Sequence, residues 1–247
     1  MTTLETNPAS PVAQAERTPH RLVWDWPVRF FHWSLVLAFL GAFVTNKLGV
    51  KYFTLHVWCG YAVIALVAFR IFWGFLGPRH ARFASFVRGP KAVLGYLYAL
   101  GRGRRTRYAG HNPVGALMVL TLLALLGAQA ILGLFANDEI FNVGPLAGLV
   151  SKSVSLGFTS LHRKLFYWIA GAVALHVIAV VAHVRFKGEN IVLAMITGKK
   201  PAHLVRPGHA IASSRSVYAV AIFVAVAAGL TALLQLAPAA DIDVAGF

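Results

Sequence analysis

The chain is short of charge, shorter still of acid, and nearly without cysteine. Charged residues fill 13% of its 247 positions, about half the share of an ordinary soluble domain. With 58% hydrophobic residues and a mean hydropathy of +0.67, that scarcity excludes a single water-exposed domain and the soluble enzyme folds. Only 8 Asp and Glu stand against 23 Lys and Arg, a formal net charge of +15. No Asp or Glu falls inside a long apolar run, which removes carboxylate chemistry from the middle of those runs. Cys59 is the single cysteine, so disulfide frameworks and thiolate metal clusters are excluded, as is the covalent haem attachment that needs C-x-x-C-H. No internal repeat is visible.

What the chain does have is apolar length. A membrane-spanning helix needs about 20 mostly apolar residues, and such runs occur at roughly 27–45, 52–76, 113–135, 160–184 and 216–237. The expected fold is an all-α membrane protein, a four-helix bundle with one additional C-terminal spanning helix. Trp24, Trp26, Trp33, Trp73, Phe75 and Trp168 flank or enter the runs, as amphipathic rings do at a headgroup boundary. Residues 1–22, rich in Thr, Pro, Ala and Glu and lacking the pattern of a signal peptide, read as a disordered cytoplasmic tail. The bundle is expected over 23–200, a basic cytoplasmic linker over 201–215, the last helix over 216–237 and a periplasmic tail over 238–247.

Lys and Arg gather on the cytoplasmic side of short loops. Between Gly77 and Asn112 lie Arg79, Arg82, Arg88, Lys91, Arg102, Arg104, Arg105 and Arg107 without a single acid. After the fourth run come Arg185, Lys187, Lys199, Lys200, Arg206 and Arg215 against Glu189, whereas 136–160 carries Asp138, Glu139 and one Lys152. The alternation places the N-terminus on the cytoplasmic side of the membrane. Most of the positive charge is therefore topology and contact with lipid phosphates, and nucleic acid is not expected as a partner. Within the basic loop, PKAVLGYLYAL from Pro90 is too short to span and reads as a helix lying along the inner surface. In GHNP, Asn112 is a natural N-cap with Pro113 opening the third crossing.

Four histidines fall within the crossings: His32 in the first, His56 in the second, His162 and His176 in the fourth. Odd helices run outward and even ones inward, so His32 and His176 share the inner half while His56 and His162 share the outer half. The interval from 162 to 176 is about 21 Å of helical rise, with the two side chains within about 40° of one face. Two imidazoles on facing helices suit a six-coordinate haem iron, whereas zinc favours three or four converging ligands. A lone intramembrane histidine reads equally as a hydrogen bond to a neighbouring helix. Gly60, Gly171 and Ala172 leave room beside the pairs. Arg29 and Arg70 at the inner level and Arg163 with Lys164 at the outer are candidate partners for haem propionates, or else snorkelling side chains. His183, seven residues past His176, competes for the inner position but lies almost at the helix end. His111, at the mouth of the third helix, suits proton handling or a propionate bond. His20, His80, His203 and His209 read as solvated surface. No catalytic residue is assigned.

The stretches WDWPVRFFHW, HVWCGY followed by RIFWGFLGPRHARFASF, GHNPVGALM, and LHRKLFYWIAGAVALH resemble the bacterial cytochrome b561 family, which includes the cytochrome b subunits of nickel-iron hydrogenases. The similarity runs from about Val23 to Lys200. It implies a four-helix bundle with two haem b groups, ligated by one histidine of the first helix, one of the second and two of the fourth: His32, His56, His162 and His176. It also implies electron transfer between a periplasmic redox partner, a c-type cytochrome or hydrogenase-like enzyme, and the membrane quinone pool. A quinone pocket at the inner level would draw on His111, Asn112 or Arg70. Two alternatives stand beside this expectation: a self-standing quinone-linked oxidoreductase with a small second substrate, and a haem-free membrane anchor or transporter. The fifth apolar run lies outside the four-helix pattern, with contact to a partner subunit as one role for it.

Overall fold

The computed structural model describes residues 19–237 apart from 105 and 141. Most of the tail assigned to 1–22, and the tail assigned to 238–247, lie outside these residues. In chain order the elements are strand β1 (His20–Leu22), helices α1 (Trp26–Lys47), α2 (Phe53–Leu76), α3 (Phe83–Phe86), α4 (Pro90–Gly101), α5 (Pro113–Leu134), α6 (Lys152–Lys187) and α7 (Ile191–Thr197), strand β2 (Lys199–Pro201), and helix α8 (Ser216–Leu236). Five of them, α1, α2, α5, α6 and α8, are long and apolar enough to cross a bilayer.

Local chemistry sets the starts of these helices. Asp25 caps α1, its Oδ1 accepting from the Val28 amide at 3.2 Å, and Pro27 sits in the first turn. Asn112 caps α5 by accepting from the Gly115 amide at 2.8 Å, with Pro113 opening the helix. Each side chain satisfies one of the amides that a helix start leaves unpaired. The short helix α4 begins at Pro90 as the sequence indicates.

The fourth spanning helix departs from the apolar run. It starts at Lys152 rather than near 160 and extends for 36 residues, about 54 Å and well beyond the ~30 Å hydrocarbon thickness. Its added turns are polar and tied to the preceding loop. Ser155 Oγ donates to the Phe135 carbonyl at 2.6 Å, and Thr159 Oγ1 accepts from the Asn137 amide at 2.8 Å. A hydropathy scan passes over such a segment because its anchoring is by hydrogen bonds.

His20–Leu22 also departs from the tail reading. These residues form an antiparallel pair with Lys199–Pro201. The carbonyl of Gly198 accepts from the amides of Val23 and Trp24 at 2.9 and 3.0 Å. Gly198 has φ +81°, and a Cβ there would stand 2.5 Å from the Trp24 carbonyl, so only glycine admits this approach. The two ends of the bundle segment are thereby clasped on the face that carries the basic loops, called here the basic face.

In the bundle, α1 packs along α2, α2 along both α5 and α8, and α5 along α6. Helix α6 reaches the bundle chiefly through α5, and its approaches to α1 and α2 are made by side chains. Phe39 and Phe43 of α1 stack on Phe166 at 6.4 and 5.5 Å, and the four intramembrane histidines face one another across the same gaps. The last helix finds its partner within the chain: Phe223 of α8 lies 5.9 Å from Phe69 and 6.3 Å from Phe30. Trp26 Nε1 donates to Ser216 Oγ at 2.7 Å. Its other face, with Val217 and Tyr218, is exposed.

Candidate functional site

The pair farther from the basic face joins His56, in the first turn of α2, to His162 of α6. Their ring centroids stand 6.2 Å apart with the planes at 80°. With a metal–imidazole bond of about 2.0–2.1 Å and about 1.1 Å to the ring centre, two imidazoles holding one metal ion between them would have their centroids about 6.3 Å apart. Each Nδ1 faces a carbonyl: His56 that of Ala42, and His162 that of Gln129, both at 2.8 Å. A carbonyl only accepts, so each Nδ1 carries the proton and each Nε2 keeps its lone pair for a metal. The two rings line a cavity of about 300 Å³ together with Phe53, Gly60, Gly133 and Arg163. A Cβ on Gly133 would come within 3.1 Å of His162 Cε1, whereas one on Gly60 would meet nothing within 4 Å. One glycine seats the ring and the other leaves open space beside it.

The pair nearer the basic face joins His32 of α1 to His176 of α6, with centroids 6.5 Å apart and planes at 55°. This separation too fits a single iron. Its surroundings differ, being dominated by buried polar atoms without partners: His32 Nδ1, Arg70 Nη1 and His111 Nδ1. The Arg70 guanidinium is 2% exposed and lies 4.9 Å above the Phe83 ring. The His111 ring sits between Trp24 and Phe86, with centroids at 4.8 and 4.7 Å. Burial first, and the charges of Arg70 and Lys200 next, push His111 down to about 3, so it is neutral at ordinary pH. Asp25 is fully enclosed, its Oδ2 accepting from Trp73 Nε1 at 2.7 Å. Burial pushes its carboxyl upward, opposed by the Trp73 and Val28 hydrogen bonds and by Arg70. A buried guanidinium and a buried imidazole with free valences are what an anionic group such as a haem propionate satisfies.

The remaining candidates fall elsewhere. Arg29 donates to the Ile196 carbonyl at the end of α7, clasping the basic face. His183 turns to Glu189, 3.5 Å away, and does not form the facing pair with His32. Among the described residues no three His, Cys, Asp or Glu side chains converge, so each histidine pair is a two-ligand site. His80, read from sequence as solvated surface, is buried. It lies 6.3 Å from the Trp24 ring, and its Nε2 faces the His209 carbonyl at 2.7 Å.

Residues 23–198 match the family described as prokaryotic cytochrome b561. The chain belongs to that family. A curated relative in Cupriavidus necator, named a probable Ni/Fe-hydrogenase B-type cytochrome subunit, is 26% identical over 224 residues, covering 76% of this chain and 89% of the relative. No solved structure matches. The cytochrome is accordingly a multi-pass membrane protein of the b type, and its chemistry is electron transfer with haem b.

Three features of the cytochrome's sites escape a reading of side chains along the sequence. The carbonyls of Ala42 and Gln129 are backbone groups and carry no sequence signature. Trp24, which frames His111 with Phe86, reads as a boundary aromatic. The enclosure of Asp25 by Trp73 has a faint signal, an acid at the mouth of an apolar run, which points to capping and not to burial.

Proposed function

We propose that the chain is a dihaem cytochrome b that carries electrons between a redox protein on the periplasmic side and the quinone pool. The observation that carries this reading is the pair of histidine couples, at centroid separations of 6.2 and 6.5 Å, at two depths of the same bundle. His56 and His162 hold one haem, and His32 and His176 hold the other. Haem b, when bound, supplies one-electron oxidation and reduction. The protein's part is to present Nε2 on both sides of each site, to exclude water with lipid-facing helices, and to place Arg70 and His111 beside the pair nearer the basic face.

The excess of Lys and Arg on that face supports a cytoplasmic side there, with the loop between α5 and α6 on the periplasmic side of a bacterial inner membrane. The cavity of the His56–His162 pair lies toward the periplasmic side, where a redox partner would exchange electrons. The hydrogenase association named for the relative makes a hydrogenase-like enzyme the partner class to test first, with a c-type cytochrome as the other. Quinone exchange belongs to the opposite level, where the unpartnered donors of Arg70 and His111 suit a quinone oxygen as well as a propionate.

The test is a redox titration of the purified holoprotein with quantified haem, followed by quinol or quinone added to the chemically poised protein. Two one-electron steps and re-equilibration by quinone are expected. A haem-to-chain ratio of one, or no b-type spectrum in haem-replete cells, overturns the dihaem reading. Two steps without response to quinone overturn the quinone link alone.

A further inference from the structure

The basic face holds a second concavity, larger than the one beside His56 and sharing His111 and Phe86 with the surroundings of the His32–His176 pair. It encloses about 860 Å³ between the loop after α2, the segment leading into α5 and the 202–209 segment. Its wall carries Arg21, Arg79, Arg88, Arg107 and Arg206, and no carboxylate among the described residues. The unpartnered, buried Nδ1 of His111 belongs to a ring that also lines it.

Several of these guanidinium groups are held in place without being neutralised. Arg21 Nη1 donates to the Val205 carbonyl at 2.6 Å. Arg79 donates to the Gly208 carbonyl at 3.3 Å, and its Nη2 lies 3.1 Å from His209 Nε2. Arg88 donates to the Ser85 carbonyl at 3.0 Å. Neutral acceptors fix the direction of each fork and leave its charge intact. Among the described residues Arg107 is the one of the five with an acid nearby, Glu189 at 3.8 Å, and Glu189 is shared with Lys200 and His183. Like charges gathered around a concavity repel one another, more strongly where lipid lowers the local dielectric. Simple positive-inside topology asks for basic residues in the loops, not for five arginines turned to one hollow.

We propose that this hollow is a binding site for an anion bearing more than one phosphate. Arginine matches phosphate oxygens in a two-point geometry that lysine lacks, and the volume lies within the range of built ligand sites. Pro113, where α5 begins, is part of the lining, which sets the hollow at the end of a spanning helix, so two sources of the same chemistry fit it: the headgroup of a diphosphate lipid such as cardiolipin, and a soluble diphosphate. The site stands independently of where the electrons go.

The experiment uses the purified holoprotein. Pyrophosphate is titrated calorimetrically in uncharged detergent at low salt, and in parallel the protein is reconstituted in phosphatidylcholine nanodiscs doped with cardiolipin and examined by native mass spectrometry. The variant is Arg79→Gln with Arg206→Gln; the control is Lys91→Gln with Arg102→Gln, which removes equal charge from α4 and its end outside the hollow. Saturable pyrophosphate binding, weakened about tenfold or more by the variant and not by the control, establishes the site and a solute source. Stoichiometric cardiolipin retention without pyrophosphate binding, lost in the variant, establishes the site with a lipid source. Failure of both probes, or binding unchanged in the variant, overturns it. Should the variant lose haem, protection of Arg79 and Arg206 from phenylglyoxal in the unmodified holoprotein decides: protection by either probe supports the site, and equal labelling with and without the probes contradicts it.

Discussion

The two histidine pairs have nearly the same span and opposite surroundings. At His56 and His162 every Nδ1 has its carbonyl, Ala42 or Gln129 at 2.8 Å, and the rings look onto an open-sided cavity. At His32 and His176 the neighbouring polar atoms, His32 Nδ1, Arg70 Nη1 and His111 Nδ1, are buried without partners. The first site is organised by backbone and fixes ring tautomer and direction. The second is organised by charge and is complete only when an anionic group enters. Metal affinity at the first should therefore be robust to changes in neighbouring side chains, and the potential at the second should be sensitive to them.

The largest effects come from removing a ring. Purified His56→Ala or His162→Ala protein should keep about one haem per chain of an initial two, and so should His32→Ala or His176→Ala, with a different spectral component surviving in each set. His183→Ala should keep both. Loss of haem in the His183 variant with retention in His176→Ala would reassign the ligand and dissolve the pairing at that level.

Next in size is Arg70→Gln. Taking a buried cation from beside the His32–His176 pair favours the oxidised state there, so the midpoint of one centre should fall by on the order of 60 mV, the equivalent of about 1.4 kcal/mol for one electron. The other centre should stay in place. Equal movement of both would mean that the charge acts through the whole bundle, and the contrast between the sites would fail. Gly133→Ala tests the opposite site, because its Cβ would press on His162 Cε1 at 3.1 Å. An altered spectrum and a destabilisation of about 1–3 kcal/mol, confined to the His56–His162 component, are expected from denaturation followed in the b-type absorption bands.

The smallest effect is one of pH. His111 has a folded value of about 3 against an ordinary 6.5, and burial lowers His80 as well. A histidine lowered on folding contributes stability that is fully present above about pH 6.5 and is lost as pH falls toward the folded value. Thermal stability of the haem-free protein should thus decline from about pH 7 to about pH 5, and His111→Asn should flatten part of that decline. An undiminished slope in the variant would place the sensitivity elsewhere.

How far these sites could be read from sequence follows from which forces leave a mark in it. Spanning helices advertise themselves by apolar length, and the alternation of basic and acidic loops orders them, so depth arithmetic alone brings His32 toward His176 and His56 toward His162. Contacts set by backbone atoms leave no such mark: nothing in the side chains announces that the Ala42 and Gln129 carbonyls receive the imidazole protons. The early start of α6 at Lys152 is hidden because Ser155 and Thr159 anchor it by hydrogen bonds to Phe135 and Asn137. The strand pairing of His20–Leu22 with Lys199–Pro201 joins segments nearly the whole bundle apart in sequence. His80 looked solvated because burial of a loop histidine depends on what folds over it, here Trp24 and the His209 carbonyl.

The central claim is that each facing histidine couple holds its own haem, and the most direct measurement is the haem-to-chain ratio of the purified protein beside that of His162→Ala. The account predicts about two, falling to about one with the arginine-flanked centre intact. A ratio of one that is unchanged by the substitution would contradict it.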